Sequence, residues 1–255
     1  MAPRSAILAL STLAGAALAR DVPQNVRDLY NSIKNQGECS NVLAGGFFAL
    51  SEGSGDFAYC GDRLDSNGII YLQGTGGALA DMDIDCDGVQ GSPADDGRCD
   101  NSGDTQSITS FADTVAGYGR GIEDLDANIH PYVVFGNVGG EDGFTSFDPQ
   151  EFGIEPLSIV AVVCGDQLIY GIWGDENGVD GSMSMIGEAS ISLATACFGT
   201  GITGNNGHEE TDVLYITFTG TDAVPGADGA QWDASTFDEF EASIQSLGDQ
   251  LVANL

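Results

Sequence analysis

Six cysteines, Cys39, Cys60, Cys86, Cys99, Cys164 and Cys197, restrict this chain of 255 residues more than any other feature. None forms a Cys-x-x-Cys pair, so zinc and thioredoxin-like readings are weak, and the even count suits three structural disulfides in an oxidising compartment. The N-terminus points to such a compartment. Met1-Ala2-Pro3-Arg4 leads into an apolar, small-residue run over 6–18 that ends in Ala17-Leu18-Ala19, the three parts of a secretory signal. The run is too short to span a bilayer, and no later stretch reaches roughly 18 unbroken apolar residues. Cleavage after Ala19 or Arg20 would leave a single domain, taken as 20–255, that is secreted and extracellular. All the pairings that six cysteines permit stay open at this level. There is no Asn-x-Ser/Thr sequon.

Charge narrows the partners. The chain carries 39 acidic against 7 basic side chains, a formal charge of −32. Removing the leader takes Arg4 and no acid, leaving 6 cations against the 39 acids, a side-chain charge of −33. A nucleic-acid interface needs Lys and Arg to replace phosphate counterions, and this chain cannot supply a patch of them. An anionic membrane surface is disfavoured for the same reason. At 42% hydrophobic the chain has the material for a core, unlike a disordered acidic tail. The imbalance favours a polycationic partner or bound cations, with plain solubility as the simpler reading.

Local patterns describe a mostly β (α+β) domain. Asp21 is placed to cap a helix with Val22, Val26, Leu29, Tyr30 and Ile33 on one stripe. Near the C-terminus Ser235 and Asp238 resemble a capping box, ahead of a face made by Phe237, Phe240, Ile244, Leu247 and Leu251. Between them, β-branched and aromatic runs over 129–135, 157–163, 168–173 and 213–218 are bounded by Gly, Asn and Asp and read as strands. Gly165-Asp166 reads as a hairpin turn. The Ala/Ser-rich stretch over 189–198 suits a short buried helix. With no internal repeat and no linker, the expectation is one closed, barrel-like β domain with a few peripheral helices, stabilised by disulfides and monomeric.

Several constellations are absent: the Gly-x-Ser-x-Gly elbow, His-Glu-x-x-His and the phosphate-binding Gly-rich loop ending in Gly-Lys-Ser/Thr. Two histidines cannot build a histidine-rich metal site. His130, before Pro131, suits a hydrogen-bonded structural role, and His208 lies in a polar loop at the surface or facing a substrate. With all thiols paired, carboxylate chemistry remains, and two carboxyls suffice to hydrolyse a glycosidic bond without a cofactor or metal.

Two segments carry candidate carboxyls. Asp81-Met82-Asp83-Ile84-Asp85-Cys86-Asp87-Gly88 alternates acids, which on a strand would share one face at about 7 Å spacing. Its Asp-x-Asp-x-Asp-Gly opening is like a calcium loop, but the twelfth position is Ala94, where a bidentate Glu is required. An irregular calcium site, a cation-binding face or a solvated turn remain as readings. The second segment runs from Ile169 to Gly178 and on to Ser190. An apolar strand ends at Trp173, a sugar-stacking candidate, with Asp175 at its exit; the plainer reading of Asp175 is a turn residue. Glu188 stands between Gly187 and small residues with no basic neighbour, a setting that raises a carboxyl pKa and suits a proton donor. Its plainer reading is a helix first-turn acid.

These residues resemble the fungal secreted endo-chitosanases of glycoside hydrolase family 75. The likeness lies in 83–91, in 126–137 (Asp126-Ala127-Asn128-Ile129-His130-Pro131 and on to Asn137), in 170–175, in 187–194 and in 203–208. It covers nearly the whole mature chain, with Glu176 following the motif Asp where the family commonly carries Thr. The resemblance implies hydrolysis of β-1,4 links between glucosamine units of chitosan, with inversion and without a cofactor. It also implies a barrel fold like the six-stranded barrels of some inverting endoglucanases. Residue by residue it puts the essential carboxylates on Asp175, the general base, and Glu188, the general acid. Asp83, Asp85 and Asp87 are then candidates for holding glucosammonium groups, with Trp173 as the stacking platform. The rival from another class is a non-catalytic secreted module that binds a polycationic polysaccharide or calcium.

Overall fold

A computed structural model describes residues 20–139, 142–178 and 183–255; the expected leader over 1–19 lies outside them. Asp21 does not cap a helix. It lies in a two-residue strand, β1 (Arg20–Asp21), and the helix α1 (Gln24–Gln36) starts after Pro23, with no side-chain cap. Proline at this point supplies a preset φ and lacks only an N–H that would be unpaired anyway. The expected stripe is nonetheless the buried one: Val26, Leu29 and Ile33 face the core. There follow β2 (Val42–Phe47), β3 (Phe57–Cys60), a single helical turn α2 (Leu64–Asn67), β4 (Ile69–Gly74) and β5 (Ala80–Asp85). Next come α3 (Ala112–Gly117), β6 (Tyr132–Asn137), β7 (Ile159–Cys164) and β8 (Gln167–Asn177). The chain ends with β9 (Glu188–Ser190), α4 (Ile191–Phe198), β10 (His208–Phe218) and α5 (Phe237–Val252).

The strand pairings close a ring. β7 pairs antiparallel with both β8 and β10, and the path between them on the other side is β8–β6–β9–β5–β10. Six strands therefore form a barrel with no free edge within the ring, which removes the unpaired backbone of an open sheet. Two of its pairings, β5 with β9 and β6 with β8, are parallel. The far end of β10 passes on to β4, β3 and β2, a meander attached to the barrel.

Barrel strands covered on both faces read as continuous apolar runs, and β6 and β7 are buried at every residue. Gly165, at φ +59, makes the tight turn between β7 and β8 where it is expected, in a backbone region that favours glycine. The helix expected in 189–198 starts at Ile191, capped by Ser190. At α5 the capping box is one residue later than the sequence suggests: Glu239 N–H donates to Thr236 Oγ1, and Ser235 N–H donates to Glu239 Oε2. Phe240 and Ile244 are buried as expected. Gly248 lets α5 press against the Tyr170 ring, where a Cβ would collide. The disulfides join Cys39 to Cys60, Cys86 to Cys99 and Cys164 to Cys197, each closing a loop of modest length. The architecture is the mostly β, barrel-like one the sequence predicts. Among the described residues no helix is long and apolar enough to cross a membrane.

Candidate active site

β8 does not end at Trp173. It continues to Asn177, and between Trp173 and Asp175 it carries one residue more than its neighbour β6: Trp173 pairs with Val133, whereas Asp175 pairs with the next residue, Val134. In a regular strand residues two apart share a face. The extra residue, Gly174, breaks that rule and re-aims the side chains, as bulges beside functional sites do. Trp173 goes into the core with 0% exposure, packs edge-on against Phe111 at 4.8 Å, and donates its indole N–H to the Asp175 carbonyl. It cannot offer a sugar-stacking face, and that expectation is corrected. Asp175 turns into a cleft instead. Gly174 is required here because a Cβ would sit 2.6 Å from Tyr132 Cβ and 2.7 Å from Leu125 Cδ1.

The cleft encloses about 400 Å³ and is lined by Asp85, Asp87, Asp104, Asp175, Glu176 and Glu188, with Ile84, Ile108, Val134 and Val138 as its apolar walls. Glu188 begins β9, which lies on the other side of β6, and it too is in register with Val134. It precedes α4 and is no helix first-turn acid. Asp175 and Glu188 thus flank one residue across three neighbouring strands, two strand spacings or about 9.5 Å apart at the backbone.

Their surroundings differ. Asp175 is buried, and its Oδ1 accepts from Ser110 N–H at 2.9 Å, Glu176 N–H at 2.8 Å and the Ser110 hydroxyl. Burial raises its pKa, while the Ser110 and Glu176 donors pull the other way by stabilising the carboxylate. Glu188 is half-buried and accepts from Asn177 Nδ2 at 2.9 Å. Glu176 also lines the cleft, its carboxyl pushed up to about 7 by burial and by the charges of Asp148 and Asp175.

Asp81, Asp83 and Asp85 lie on β5, in unbroken register with β9 over 83–85, and Asp87 lies past its end, but the four differ in what they reach. Asp85 and Asp87 reach the cleft, where their carboxylate oxygens and that of Asp175 lie within 4.8 Å of one another. Burial holds Asp85 well above the ordinary carboxyl range, with the Asp175, Asp87 and Glu188 charges adding to it. Burial likewise pushes Asp87 to about 7, against a hydrogen bond from Gln106 N–H. Asp83 is in register with Glu188 but is not among the residues lining the cleft; burial and Glu209 raise its carboxyl. Asp81 is fully buried, and its carboxylate oxygens find no hydrogen-bond partner among the described residues. Burial, with Asp83, Glu188 and Glu209 nearby, pushes it to about 9, so it sits in the fold as a neutral acid.

The oxygen-only trio Asp85, Asp87 and Asp175 is suited to a hard cation or an ammonium group. The Cys39, Cys60 and Asp62 cluster offers no thiolate, because its two cysteines are bonded to each other. His130 is structural: Nδ1 accepts from Asp126 N–H, Nε2 contacts Trp232 O, and burial lowers its pKa, which describes a neutral imidazole. His208 stacks on Phe198 at 3.8 Å beside Asp212 and Glu210, outside the cleft lining.

Two partners of the carboxyls were not evident from the pattern. Asn177 is two residues past Asp175 on the same strand, a relation legible only once β8 is known to continue. Ser110 is 65 residues from Asp175, and nothing local joins them.

The sequence pattern of the fungal chitosanases of glycosyl hydrolase group 75 matches residues 82–254. An endo-chitosanase of Aspergillus fumigatus is 48% identical over 253 residues, 98% of either chain. Endo-chitosanase B of Aspergillus oryzae (strain ATCC 42149 / RIB 40) is 46% identical over the same length and share. Endo-chitosanase C of Aspergillus oryzae is 32% identical across 69% of this chain and 39% of its own length.

Proposed function

The chain belongs to the fungal chitosanases of glycosyl hydrolase group 75, and from that premise we propose that it hydrolyses β-1,4 links between glucosamine units within chitosan, with inversion at the anomeric carbon. Membership in a family of endo-acting glycoside hydrolases displaces the non-catalytic module considered from composition. The leader sequence and the disulfides support a secreted enzyme working outside the cell.

The observation that carries the mechanism is the placement of two carboxyls on either side of Val134. Inverting pairs stand roughly 6.5–9.5 Å apart to admit a water, whereas retaining pairs stand about 5–5.5 Å apart, which adjacent strands would provide. Two strand spacings with side chains leaning into one cleft support the inverting arrangement. Glu188, half-exposed, protonates the glycosidic oxygen as the bond breaks. Asp175, with one oxygen tied by three donors, takes a proton from the water that attacks the opposite ring face. The oxocarbenium-like transition state is positive; a positive charge beside them favours the ionised form of the remaining cleft carboxyls, which in that form stabilise it in a partly dry site.

Asp85 and Asp87, which hold protons before substrate binds, release them to solvent as protonated amines of the polymer bind beside Asp175, and Asp83 extends the acidic track toward Glu209. No cofactor or metal is needed by this scheme. The test is the anomer first released from chitosan oligomers, followed by proton NMR at weakly acidic pH. The α-anomer from the β-linked substrate is expected, and an initial β-anomer would overturn inversion while leaving the hydrolase intact.

A further inference from the structure

One wall of the cleft is a short strap, residues 106–110, tied down at both ends by carboxylates. Gln106 N–H donates to Asp87 Oδ1 at 2.6 Å, and Gly88 N–H donates to Gln106 O at 3.1 Å. Ser110 donates through both its N–H and its hydroxyl to Asp175 Oδ1. Between them Thr109 is held by the buried Asp124, which accepts from its N–H and its hydroxyl and also from Leu125 N–H. A five-residue segment with this many charge-assisted bonds has little freedom.

At its middle the strap presents Ile108, 59% exposed. Among the described residues only two other large hydrophobic side chains are exposed, Val42 and Val89. Ile108 is the most exposed of the three and the only one lining the cleft. Among the described residues no aromatic side chain lines that cleft, since Trp173 is turned into the core. A pyranose ring has an apolar C–H face, and the carboxylates that attract its amine cannot cover that face.

We propose that Ile108 is a substrate-positioning residue, packing against the apolar face of a glucosamine ring bound beside Asp175. The inference rests on the chitosanase reading. Ile108 supplies contact where Asp85 and Asp87 supply charge, and because the strap is tied to Asp175 the contact sets the ring against the base. Apolar contact is insensitive to salt, whereas the carboxylate attraction is screened.

The experiment compares wild type, Ile108→Ser and Ile108→Leu on soluble chitosan, reading KM, kcat and Tm at low and high salt. Covering a partly exposed isoleucine corresponds to about a five- to tenfold change in binding. Ile108→Ser is expected to raise KM by that factor, equally at both salt concentrations, with kcat within about twofold and Tm unchanged. Ile108→Leu is expected to stay near wild type. An active wild type with an unaltered KM in Ile108→Ser overturns the assignment of Ile108 alone, as does a KM effect accompanied by a fall in Tm. A wild type that releases no reducing ends from chitosan overturns the substrate reading and this inference together.

Discussion

Asp175 and Glu188 pair in register with the same residue, Val134, from opposite sides of β6. This places two carboxyls across one cleft at a separation set by backbone hydrogen bonding between strands rather than by flexible loops. Sites held on strands keep their geometry better than sites held on loops. The consequences can be checked individually.

Asp175→Asn and Glu188→Gln each keep the shape of the side chain and remove its proton chemistry. Each is expected to lower kcat on chitosan by about 100- to 10,000-fold, measured by reducing-end release, with circular dichroism unchanged. Full activity in either variant would remove that residue from the pair.

Gly174→Ala tests the bulge. The added methyl meets Tyr132 Cβ and Leu125 Cδ1, both packed in the core, so a loss of about 1–3 kcal/mol in stability is expected from overpacking. Because Gly174 adjoins Asp175, kcat should fall as well. A variant as stable and active as wild type would show that the bulge has room to spare.

Ser110→Ala removes the hydroxyl donor from Asp175 Oδ1 and leaves the Ser110 and Glu176 N–H groups. The lost hydrogen bond had favoured the carboxylate, so Asp175 should hold its proton to higher pH. The acid limb of the kcat/KM profile is expected to move upward, with the alkaline limb in place. An unmoved acid limb would contradict Asp175 as the base.

The buried acids are expected to favour the fold at low pH. Asp81 at about 9, and Asp87 and Glu176 at about 7, hold protons in the folded state that they release near pH 4 when unfolded. Each contributes stability that is fully present below its unfolded pKa and is lost as pH rises through its folded pKa. The chain's formal charge of −32 acts in the same direction by self-repulsion. Tm should therefore fall from pH 5 to pH 8. Asp81→Asn, which mimics the neutral acid, should raise Tm at pH 8 and change it little at pH 4. A wild-type Tm that is flat or rising over that range would refute this account.

Salt should separate capture from chemistry. The long-range attraction of a strongly negative protein for a polyamine is screened beyond about 10 Å at 0.1 M ionic strength. Raising salt is expected to increase KM several-fold while kcat changes little. A kcat as salt-sensitive as KM would place the charge effect in the chemical step.

The amphipathic helix faces, the Gly165-Asp166 hairpin and the closed β class were legible because each depends on residues close in sequence. So were Asp175 and Glu188 as the candidate carboxyls, since each sits in a compact local motif. Strand order was not legible: β6 lies between β8 and β9, though it precedes both by dozens of residues, and pairing of this kind is decided by packing of the whole barrel. For the same reason the tie from Ser110 to Asp175 and the choice among cysteine pairings had no local signal. The reading of Trp173 as a stacking platform took the strand to end there with Asp175 at its exit, whereas β8 runs on to Asn177 and one extra residue at Gly174 sends the two side chains to different places. Composition and local pattern by themselves determined an acidic, disulfide-bearing β domain with two marked carboxyls. Only the tertiary structure decided which face each side chain takes and how far apart the carboxyls stand, because register and bulges arise from contacts between strands distant in the chain.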